Sequence, residues 1–233
     1  MKMSIVVPCY NEEKNLPLIL QRFNEVINRE DVCVILVDNG STDNSAVVMD
    51  ALIKKYSFAF KVTVKDNLGY GFGIVTGLQA CVSDYIGWTH ADMQTDPADV
   101  IKALDIIEEN GCPETIYVKG DRKGRPVFDQ FFTIGMSIFE TMYMKCILWD
   151  INAQPNVFHK KFFEKWKDRA PQDFSLDLFV LYQAKKQDLD VVRFKVTFPE
   201  RIHGSSSWND GFSSKWKFIK RTLQFSAKLK RGL

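Results

Sequence analysis

The feature that most constrains the fold is the regular alternation of short apolar runs with segments of helical spacing. Val32–Val37 is apolar at every position, as expected of a parallel strand that is covered on both faces. Ile5–Val7 and Tyr85–Gly87 are shorter runs, each followed by a polar loop and then by apolar residues at helical spacing. This order predicts an α/β protein with an open, mostly parallel sheet, whose ligands bind outside the carboxyl ends of the strands.

The size and composition indicate a globular protein. A chain of 233 residues with 45% hydrophobic content can supply a full core, and we expect one domain over residues 1–211 and a basic extension over residues 212–233. The formal net charge of +2 gives no general signal for nucleic-acid binding, so we expect no nucleic-acid partner. The five cysteines are scattered and lack paired metal-ligand spacing, which is typical of reduced thiols in a cytoplasmic protein.

No segment has the pattern of a signal peptide or a membrane span. The N-terminus enters a strand pattern directly, without a basic region followed by a long apolar one. The longest apolar stretch, 131–149, is interrupted by Glu140 and Lys145 and falls short of the roughly 20 residues that a spanning helix needs. We therefore expect a protein that does not cross a membrane.

The most informative stretch is 88–97, directly after the run that ends at Gly87. His90, Asp92 and Gln94 fall at every second position, so they would share one side of an extended segment. A carboxylate and a carboxamide supply the oxygen ligands that hard divalent cations prefer, with positions left for substrate phosphates. The alternative is an ordinary turn in which Asp92 or Asp96 only caps the helix that begins at Pro97.

Two further loops have both a structural and a functional interpretation. The glycine-rich turn 67–73 lacks the full dinucleotide fingerprint and a Walker lysine, which favours a structural role. Residues 119–125 contain four lysines or arginines and two glycines. This composition is consistent with a solvated loop or with a flexible clamp that binds a diphosphate. The clamp is favoured because this segment follows a strand that we expect near the strand of Asp92.

Four motifs taken in order resemble those of the family 2 glycosyltransferases, most closely the dolichol-phosphate mannose synthase and polyprenyl-phosphate sugar transferase branch. They are 6–12, 37–43, 69–77 and 90–94, and the similarity extends from Met3 to about Trp208. The resemblance implies a GT-A nucleotide-sugar fold, which is Rossmann-like, and a metal-dependent, inverting hexosyl transfer. It also implies that Asp92 and Gln94 bind Mg²⁺ or Mn²⁺ on the donor diphosphate.

The same resemblance implies a set of nucleotide-sugar contacts. A late motif that begins at Arg201 is similar to the family's segment that closes over the phosphates, and 150–154 with Phe158 occupy the place of a motif near the acceptor. The implied donor-binding residues are Pro8, Tyr10, Asn11, Glu12, Asp38, Asn39, Gly71, His90, Ala91, Asp92, Lys119, Arg122, Arg125, Arg201 and Ser206.

Three positions depart from the family's pattern. His90 stands where the first of two metal-site aspartates is usual, which puts the orientation of the donor in doubt. Asn39 replaces the second aspartate of the nucleoside loop and presents a donor as well as an acceptor, so the base preference can differ. Ser207 stands where the family's late phosphate-binding motif commonly has a lysine. Lys119, Arg122 or Arg201 would then have to supply that positive charge.

The resemblance implies transfer of a sugar to a membrane-borne polyprenyl phosphate. A second hypothesis is transfer to a hydroxyl of a lipid-linked or surface glycan, which needs a general base; Asp177 is the later acid that we would assign to that role. Asp177 is equally consistent with an acid in the first turn of a helix. A third hypothesis is a nucleotide-sugar-binding protein that has lost catalysis. Synthesis of a polysaccharide chain is disfavoured, because the Gln-x-x-Arg-Trp motif of the processive polysaccharide synthases does not occur in this sequence.

Two segments suggest contact with the cytoplasmic face of an anionic membrane. Apolar residues surround the helix predicted within 131–149 on nearly all sides, which is typical of either core or membrane contact. From residue 212 onward, Trp216, Ile219 and Leu223 recur at helical spacing among seven lysines and arginines, with no acid after Asp210. This pattern predicts a basic amphipathic helix at a membrane interface, or alternatively a partner-binding or solvated tail.

Overall fold

The computed structural model describes residues 2–124, 127–199, 203 and 212–232, and of residues 127–133 and 212–218 it describes the backbone alone. Within these ranges the strands are β1 (Met3–Cys9), β2 (Val32–Asn39), β3 (Ala59–Val64), β4 (Tyr85–Trp88), β5 (Ile116–Lys123), β6 (Asn156–His159) and β7 (Asp190–Thr197). The helices are α1 (Leu16–Val26), α2 (Ser45–Lys55), α3 (Tyr70–Ala80), α4 (Pro97–Glu109), α5 (Val127–Met144), α6 (Lys160–Glu164), α7 (Leu176–Lys186) and α8 (Phe212–Lys230).

The strands form one sheet in the order β3-β2-β1-β4-β6-β5-β7. The pairs β3–β2, β2–β1, β1–β4 and β5–β7 are parallel, while β6 is antiparallel to both of its neighbours. The predicted open, mostly parallel α/β sheet is therefore confirmed. The expectation that β5 lies near β4 needs a correction, because β6 is inserted between them.

Alternate residues of the central strands face two separate core layers. Ile5, Val7 and Leu36 pack with residues of α1 and α4, whereas Val6 and Val37 pack with residues of α3 and α7. Burial on both faces explains why these strands are continuously apolar in the sequence. The helix α3 lies so close to the sheet that a Cβ on its Gly77 would come within 2.5 Å of Val6 and 2.7 Å of Val37.

The structure corrects three local predictions. Strand β5 continues to Lys123, so residues 119–123 belong to the sheet rather than to a flexible loop. Helix α5 ends at Met144 instead of continuing to Trp149, and Lys145 follows it with a φ of 56°. The chain after β4 bends instead of staying extended, and Met93 has a φ of 60°, so the predicted alternation of His90, Asp92 and Gln94 along one side is wrong.

The five cysteines are unpaired, and Cys9, Cys33 and Cys81 are buried, as the sequence predicts for reduced thiols. No helix in the described part of the chain is long and apolar enough to cross a membrane. The C-terminal helix α8 is not isolated from the rest of the molecule, because Leu229 joins the core layer that contains α7.

Candidate functional site

The loops after β1 and β2 lie side by side at the carboxyl edge of the sheet. The strands are in parallel register, with Cys9 opposite Asp38, so the two polar loops start at the same level. Asn11 accepts a hydrogen bond from the backbone N–H of Thr42 at 2.8 Å, and Asp38 accepts one from Ser41 at 3.1 Å. The structure thus brings together the residues predicted to hold the nucleoside, which are Pro8, Tyr10, Asn11, Glu12, Asp38 and Asn39.

The glycine-rich turn packs against this edge. Asn39 donates from Nδ2 to the carbonyl of Gly69 at 3.0 Å, while its Oδ1 is buried and has no hydrogen-bond partner among the described residues. A Cβ on Gly73 would come within 2.8 Å of the Asn39 side chain, and one on Gly71 within 2.3 Å of the carbonyl oxygen of Pro171. These contacts support the structural interpretation of the turn, and a role of Gly71 in donor binding stays a prediction.

The segment predicted to bind metal follows β4 at the same edge. Asp92 is nearly buried and accepts a hydrogen bond from the backbone N–H of Gln94 at 3.1 Å. Thr89 and Thr95 share a hydrogen bond of 2.9 Å across the bend, and Gln94 donates from Nε2 to the carbonyl of Pro199 at 3.2 Å. Ala91 is buried in the core, so its side chain fixes the loop to the sheet.

Asp96 has the structural role that was the alternative for this stretch. Its carboxylate accepts a hydrogen bond from the N–H of Ala98 at 3.0 Å and caps α4, which begins with Pro97. The capping interpretation therefore holds for Asp96 and does not account for Asp92, which lies four residues before it.

The residues present fit a hard divalent cation bound together with a diphosphate. No group of three or more His, Cys, Asp or Glu side chains is arranged as a metal site in the described ranges. Asp92 and Gln94 offer a carboxylate and a carboxamide oxygen, which suits Mg²⁺ or Mn²⁺ that obtains further ligands from substrate phosphates and water.

Lys119 lies in the interior, so the prediction that it belongs to a flexible clamp contacting the diphosphate is wrong. Its side chain is 0% exposed, and Nζ donates to the carbonyl of Ala153 at 2.7 Å and to Oδ1 of Asn156 at 2.6 Å. Burial lowers the pKa of Lys119 to about 7, against the opposing effect of the Asp177 carboxylate. The ammonium group of Lys119 is buried and donates to two protein acceptors, so it is not free to reach a ligand at the edge of the sheet.

Arg122 is also held by the protein. It forms a buried ion pair with Asp150, to which it donates from its backbone N–H at 2.8 Å and from Nε at 2.9 Å. The guanidinium also lies 5.3 Å from the ring centre of Phe198. The remaining predicted phosphate contacts, Arg125, Arg201 and Ser206, lie outside the described residues, as does Ser207, so their roles stay predictions.

Asp177 is 2% exposed in the first turn of α7 and belongs to a buried polar network. Its Oδ1 accepts hydrogen bonds from Nε2 of Gln154 at 3.0 Å and from Nδ2 of Asn156 at 3.3 Å. Burial raises the pKa of Asp177, while Lys119 and then His90 act in the opposite direction. Asp177 is therefore both a helix-start acid and a buried ionisable group near His90.

Tyr70 and Asn156 also belong to this network, and their positions are not predictable from the sequence. The Tyr70 hydroxyl accepts a hydrogen bond from Gln154 at 3.3 Å, and its ring lies 6.1 Å from that of His90. Phe174 stacks on Tyr70 with ring centres 4.6 Å apart. Asn156 is the first residue of β6 and directly follows Pro155. The strand has four residues, which is too short for a period-2 pattern to be recognised in the sequence. The sequence did contain one clue. Lys119 lies two positions after Tyr117 and therefore on the same face of an apolar strand, where a buried lysine requires polar partners.

The fold is shared with solved glycosyltransferases. Glucosyl-3-phosphoglycerate synthase from Mycobacterium tuberculosis, in complex with Mn²⁺, UDP and glucosyl-3-phosphoglycerate, has a TM-score of 0.71 at 15% identity, covering 100% of this chain and 80% of that chain. A mannosyltransferase from Pyrobaculum calidifontis, in complex with GDP-Man and Mn²⁺, has a TM-score of 0.72 at 15% identity. The match covers 100% of this chain and 65% of the mannosyltransferase chain. The predicted GT-A fold is confirmed.

Two curated relatives carry the same name, undecaprenyl-phosphate 4-deoxy-4-formamido-L-arabinose transferase. The protein from Yersinia enterocolitica is 32% identical over 111 residues, which cover 46% of this chain and 34% of the relative. The one from Pseudomonas fluorescens strain SBW25 is 33% identical over 106 residues, which cover 44% and 31%. The match thus spans about a third of the length of these relatives. The family model of glycosyl transferase family 2 matches residues 4–166, most of the chain, and the chain therefore belongs to that family.

Proposed function

We propose that this chain transfers a sugar from a nucleotide-diphosphate sugar to a membrane-borne polyprenyl phosphate, with inversion at the anomeric carbon. The observation that carries the proposal is the meeting of three loops at one edge of the sheet. The loops after β1 and β2 form one bonded unit, and Asp92 follows β4, which pairs directly with β1. Parallel strands bring these residues together although the sequence separates them widely.

The donor half of the site suits a nucleoside diphosphate. We propose that the Oδ1 of Asn39, a buried acceptor with no hydrogen-bond partner among the described residues, accepts from an N–H group of the bound nucleobase. Tyr10, which directly follows β1, has an exposed ring. Asp92 and Gln94 would hold the cation. When bound, Mg²⁺ or Mn²⁺ would stabilise the charge that develops on the leaving diphosphate.

The acceptor half favours a phosphate over a hydroxyl. A hydroxyl needs a base within reach of its proton, whereas an ionised phosphate monoester needs none. Asp177 is almost completely buried, and its Oδ1 already accepts from Gln154 and Asn156. The names of the curated relatives, which are transferases acting on undecaprenyl phosphate, support the same class of acceptor.

An exposed apolar surface supports peripheral attachment to the cytoplasmic face of a membrane. On α5, Ile138 is 51% exposed and Met142 is 72% exposed, while Ser137 and Glu140 on the opposite face are buried. We call these exposed apolar residues the α5 patch; they are Ile134, Ile138, Phe139 and Met142 on α5, and Ile147 and Trp149 shortly after it. Large apolar side chains at helical spacing on the outside of a protein are typical of an interfacial helix.

Helix α8 packs against α5 on the side where Glu140 is buried. Lys230 donates to the carbonyl of Tyr143 on α5 at 2.8 Å, and Arg221 lies 5.3 Å from the ring centre of Phe174. Ile219 and Leu223 are half-buried, and the side chain of Trp216 lies outside the described residues. We propose that the exposed Lys220 and Lys228 attract anionic lipid while α5 supplies the apolar contact.

The test is sugar transfer in a defined membrane. The purified protein is incubated with Mn²⁺, a panel of labelled UDP- and GDP-sugars, and vesicles that contain undecaprenyl phosphate, a neutral glycolipid, or both. Labelled sugar is then measured in each lipid. We expect one donor to label the lipid only when the phosphate is present. Labelling of a neutral glycolipid instead would support the hydroxyl acceptor, and nucleotide binding without any transfer would support a binding protein; either result contradicts the proposal.

A further inference from the structure

Lys119 and Asp177 are two buried ionisable side chains that are linked by hydrogen bonds through the side chain of Asn156. Asn156 accepts a hydrogen bond from Nζ of Lys119 at 2.6 Å and donates to Oδ1 of Asp177 at 3.3 Å. Lys119 is 0% exposed and Asp177 is 2% exposed. A single ionised group in such a place is strongly unfavourable, but two opposite charges joined by hydrogen bonds offset each other.

The network continues from this pair to the candidate site. Gln154 donates from Nε2 both to Asp177 at 3.0 Å and to the hydroxyl of Tyr70 at 3.3 Å. The Tyr70 ring is stacked on Phe174 and lies 6.1 Å from the ring of His90, two residues before Asp92. If the Asp177 carboxylate moved, Gln154 would lose one of its acceptors, and the position of the Tyr70 ring beside His90 would change.

We propose that Lys119 is a positioning residue for sugar transfer: it keeps Asp177 ionised and in place, and thereby fixes Gln154 and Tyr70 beside His90. This inference rests on the proposed function. An ionised Asp177 can accept from Gln154 and Asn156 together, whereas a protonated one becomes a donor itself and has fewer acceptor positions. Loss of the lysine charge would leave Asp177 uncompensated, and the carboxyl would take up a proton.

Other charged and titratable groups face the pair, and the expected pH response includes them. The charges of four further groups change the pKa of Lys119 or of Asp177. They lie on β5, on β7, in the loop after β4 and in the segment before β6, and they are Arg122, Arg193, His90 and Asp150. Arg122 is paired with Asp150, and Arg193 donates to the carbonyl of Gly120 at 3.1 Å. Among these charges, that of Lys119 lowers the pKa of Asp177 the most and so favours its ionised form.

The test compares Lys119→Met, Asp177→Asn and the double variant with the wild type, and uses Lys161→Met as a control. Lys161 forms an exposed ion pair with Glu114, so its loss removes a lysine without disturbing the interior. The first measurement is thermal unfolding, which needs no substrate. We expect Lys119→Met to lower Tm by roughly 6–20 °C and the double variant to recover most of that loss.

The second measurement is the pH profile of transfer, with kcat and the donor KM determined separately. We expect Lys119→Met to lower kcat by between about 10- and 100-fold, to leave the donor KM within about twofold, and to move the acid limb upward by about one pH unit or more. If Lys119→Met does not fold, the double variant and Asp177→Asn still test the pair, because the acid limb should disappear from both.

Three results would overturn the inference. They are a double variant whose loss of Tm equals the sum of the single losses, a Lys119→Met protein with a wild-type acid limb, and a fall in kcat without any change in the pH profile. If the wild type transfers nothing to polyprenyl phosphate, only the proposed function fails. The unfolding measurements still decide whether the two charges are coupled.

Discussion

Ser226 on α8 donates its hydroxyl hydrogen to the carboxylate of Glu140 on α5, with oxygen–oxygen distances of 2.7 Å and 2.8 Å, and both side chains are fully buried. The helix that carries the apolar patch and the basic C-terminal helix are thus joined by a polar contact in the interior. Burial raises the pKa of Glu140, and the hydrogen bond from Ser226 partly opposes that effect.

Replacement of Ser226 by alanine should destabilise the protein by about 1–3 kcal/mol, because the Glu140 carboxylate loses its donor. A carboxyl group with a raised folded-state pKa favours folding at low pH, and that contribution is lost as pH rises through the folded-state pKa. We therefore expect the deficit of Ser226→Ala to be smallest in acid. Urea unfolding at several pH values measures it, and Glu140→Gln should remove the dependence; a deficit that grows in acid would contradict the assignment.

The α5 patch should bind bilayers through its apolar side chains. The double variant Ile138→Ser and Met142→Ser should weaken vesicle binding by about tenfold or more, since each inserted side chain contributes on the order of 1 kcal/mol or more. Sedimentation with vesicles measures the effect. Val47→Ser is a matched control, because Val47 is 68% exposed on α2 and lies outside the patch. Equal losses in both proteins would show that the patch has no special role.

The basic side chains of α8 should make that attachment depend on salt. Replacement of the exposed Lys220 and Lys228 by glutamine should weaken binding to anionic vesicles by about 1 kcal/mol per residue and should have little effect on neutral vesicles. Point variants are preferable to removal of the helix, because truncation would also remove Ser226 and Leu229 from the interior. Unchanged binding at low salt would mean that α8 does not face the membrane.

By the resemblance described above, His90 stands at the place of the first of two metal-site aspartates, and this difference has a measurable consequence. His90→Asp would place a second hard oxygen donor near Asp92, so the affinity for Mg²⁺ in the presence of a nucleoside diphosphate should rise by about tenfold. Calorimetric titration with Mg²⁺ measures the change. A weaker affinity in His90→Asp would instead mean that the imidazole itself makes the better contact with metal or phosphate.

Gly71 should be intolerant of even a methyl group. A Cβ there would meet the carbonyl oxygens of Pro171 at 2.3 Å and Asp173 at 2.8 Å, and neither backbone atom can move freely. Gly71→Ala should cost about 1–3 kcal/mol in stability through overpacking. Gly135→Ala is the control, because nothing lies within 4 Å of its Cβ position and alanine is the better helix former. It should stabilise the protein, so a loss in both variants would contradict this explanation.

The central parallel strands were predictable because each is buried on both faces and therefore apolar at nearly every position. Strand β6 was not, since its four residues include Asn156 and His159 and only two of them are strongly apolar. Its insertion between β4 and β5 depends on tertiary pairing that no local pattern indicates. Strand β7 was also missed, although Phe194 and Val196 alternate with Arg193 and Lys195 as in a half-buried strand.

The candidate site was predictable in its residues more than in its geometry. Asp92 and Asp38 follow strong strand signals, so their place at the sheet edge could be expected from the sequence alone. The bend at Met93, with a φ of 60°, has no sequence signal because methionine rarely adopts that conformation. The burial of Lys119 was missed because a cluster of charges next to glycines is usually a loop, and here the pairing of β5 with β7 extends the strand through it.

The most direct test of the account is metal-dependent binding of a nucleoside diphosphate at Asp92. Calorimetric titration of UDP and GDP, with and without Mn²⁺, is carried out on the wild type, on Asp92→Asn and on Asp50→Asn, a control in an exposed ion pair with Lys61. We predict that Mn²⁺ increases the affinity of the wild type and the control by tenfold or more, about 1.4 kcal/mol, and that Asp92→Asn binds equally weakly with and without the metal. The account is contradicted if Asp92→Asn retains the full Mn²⁺ effect while its fold and melting temperature are unchanged.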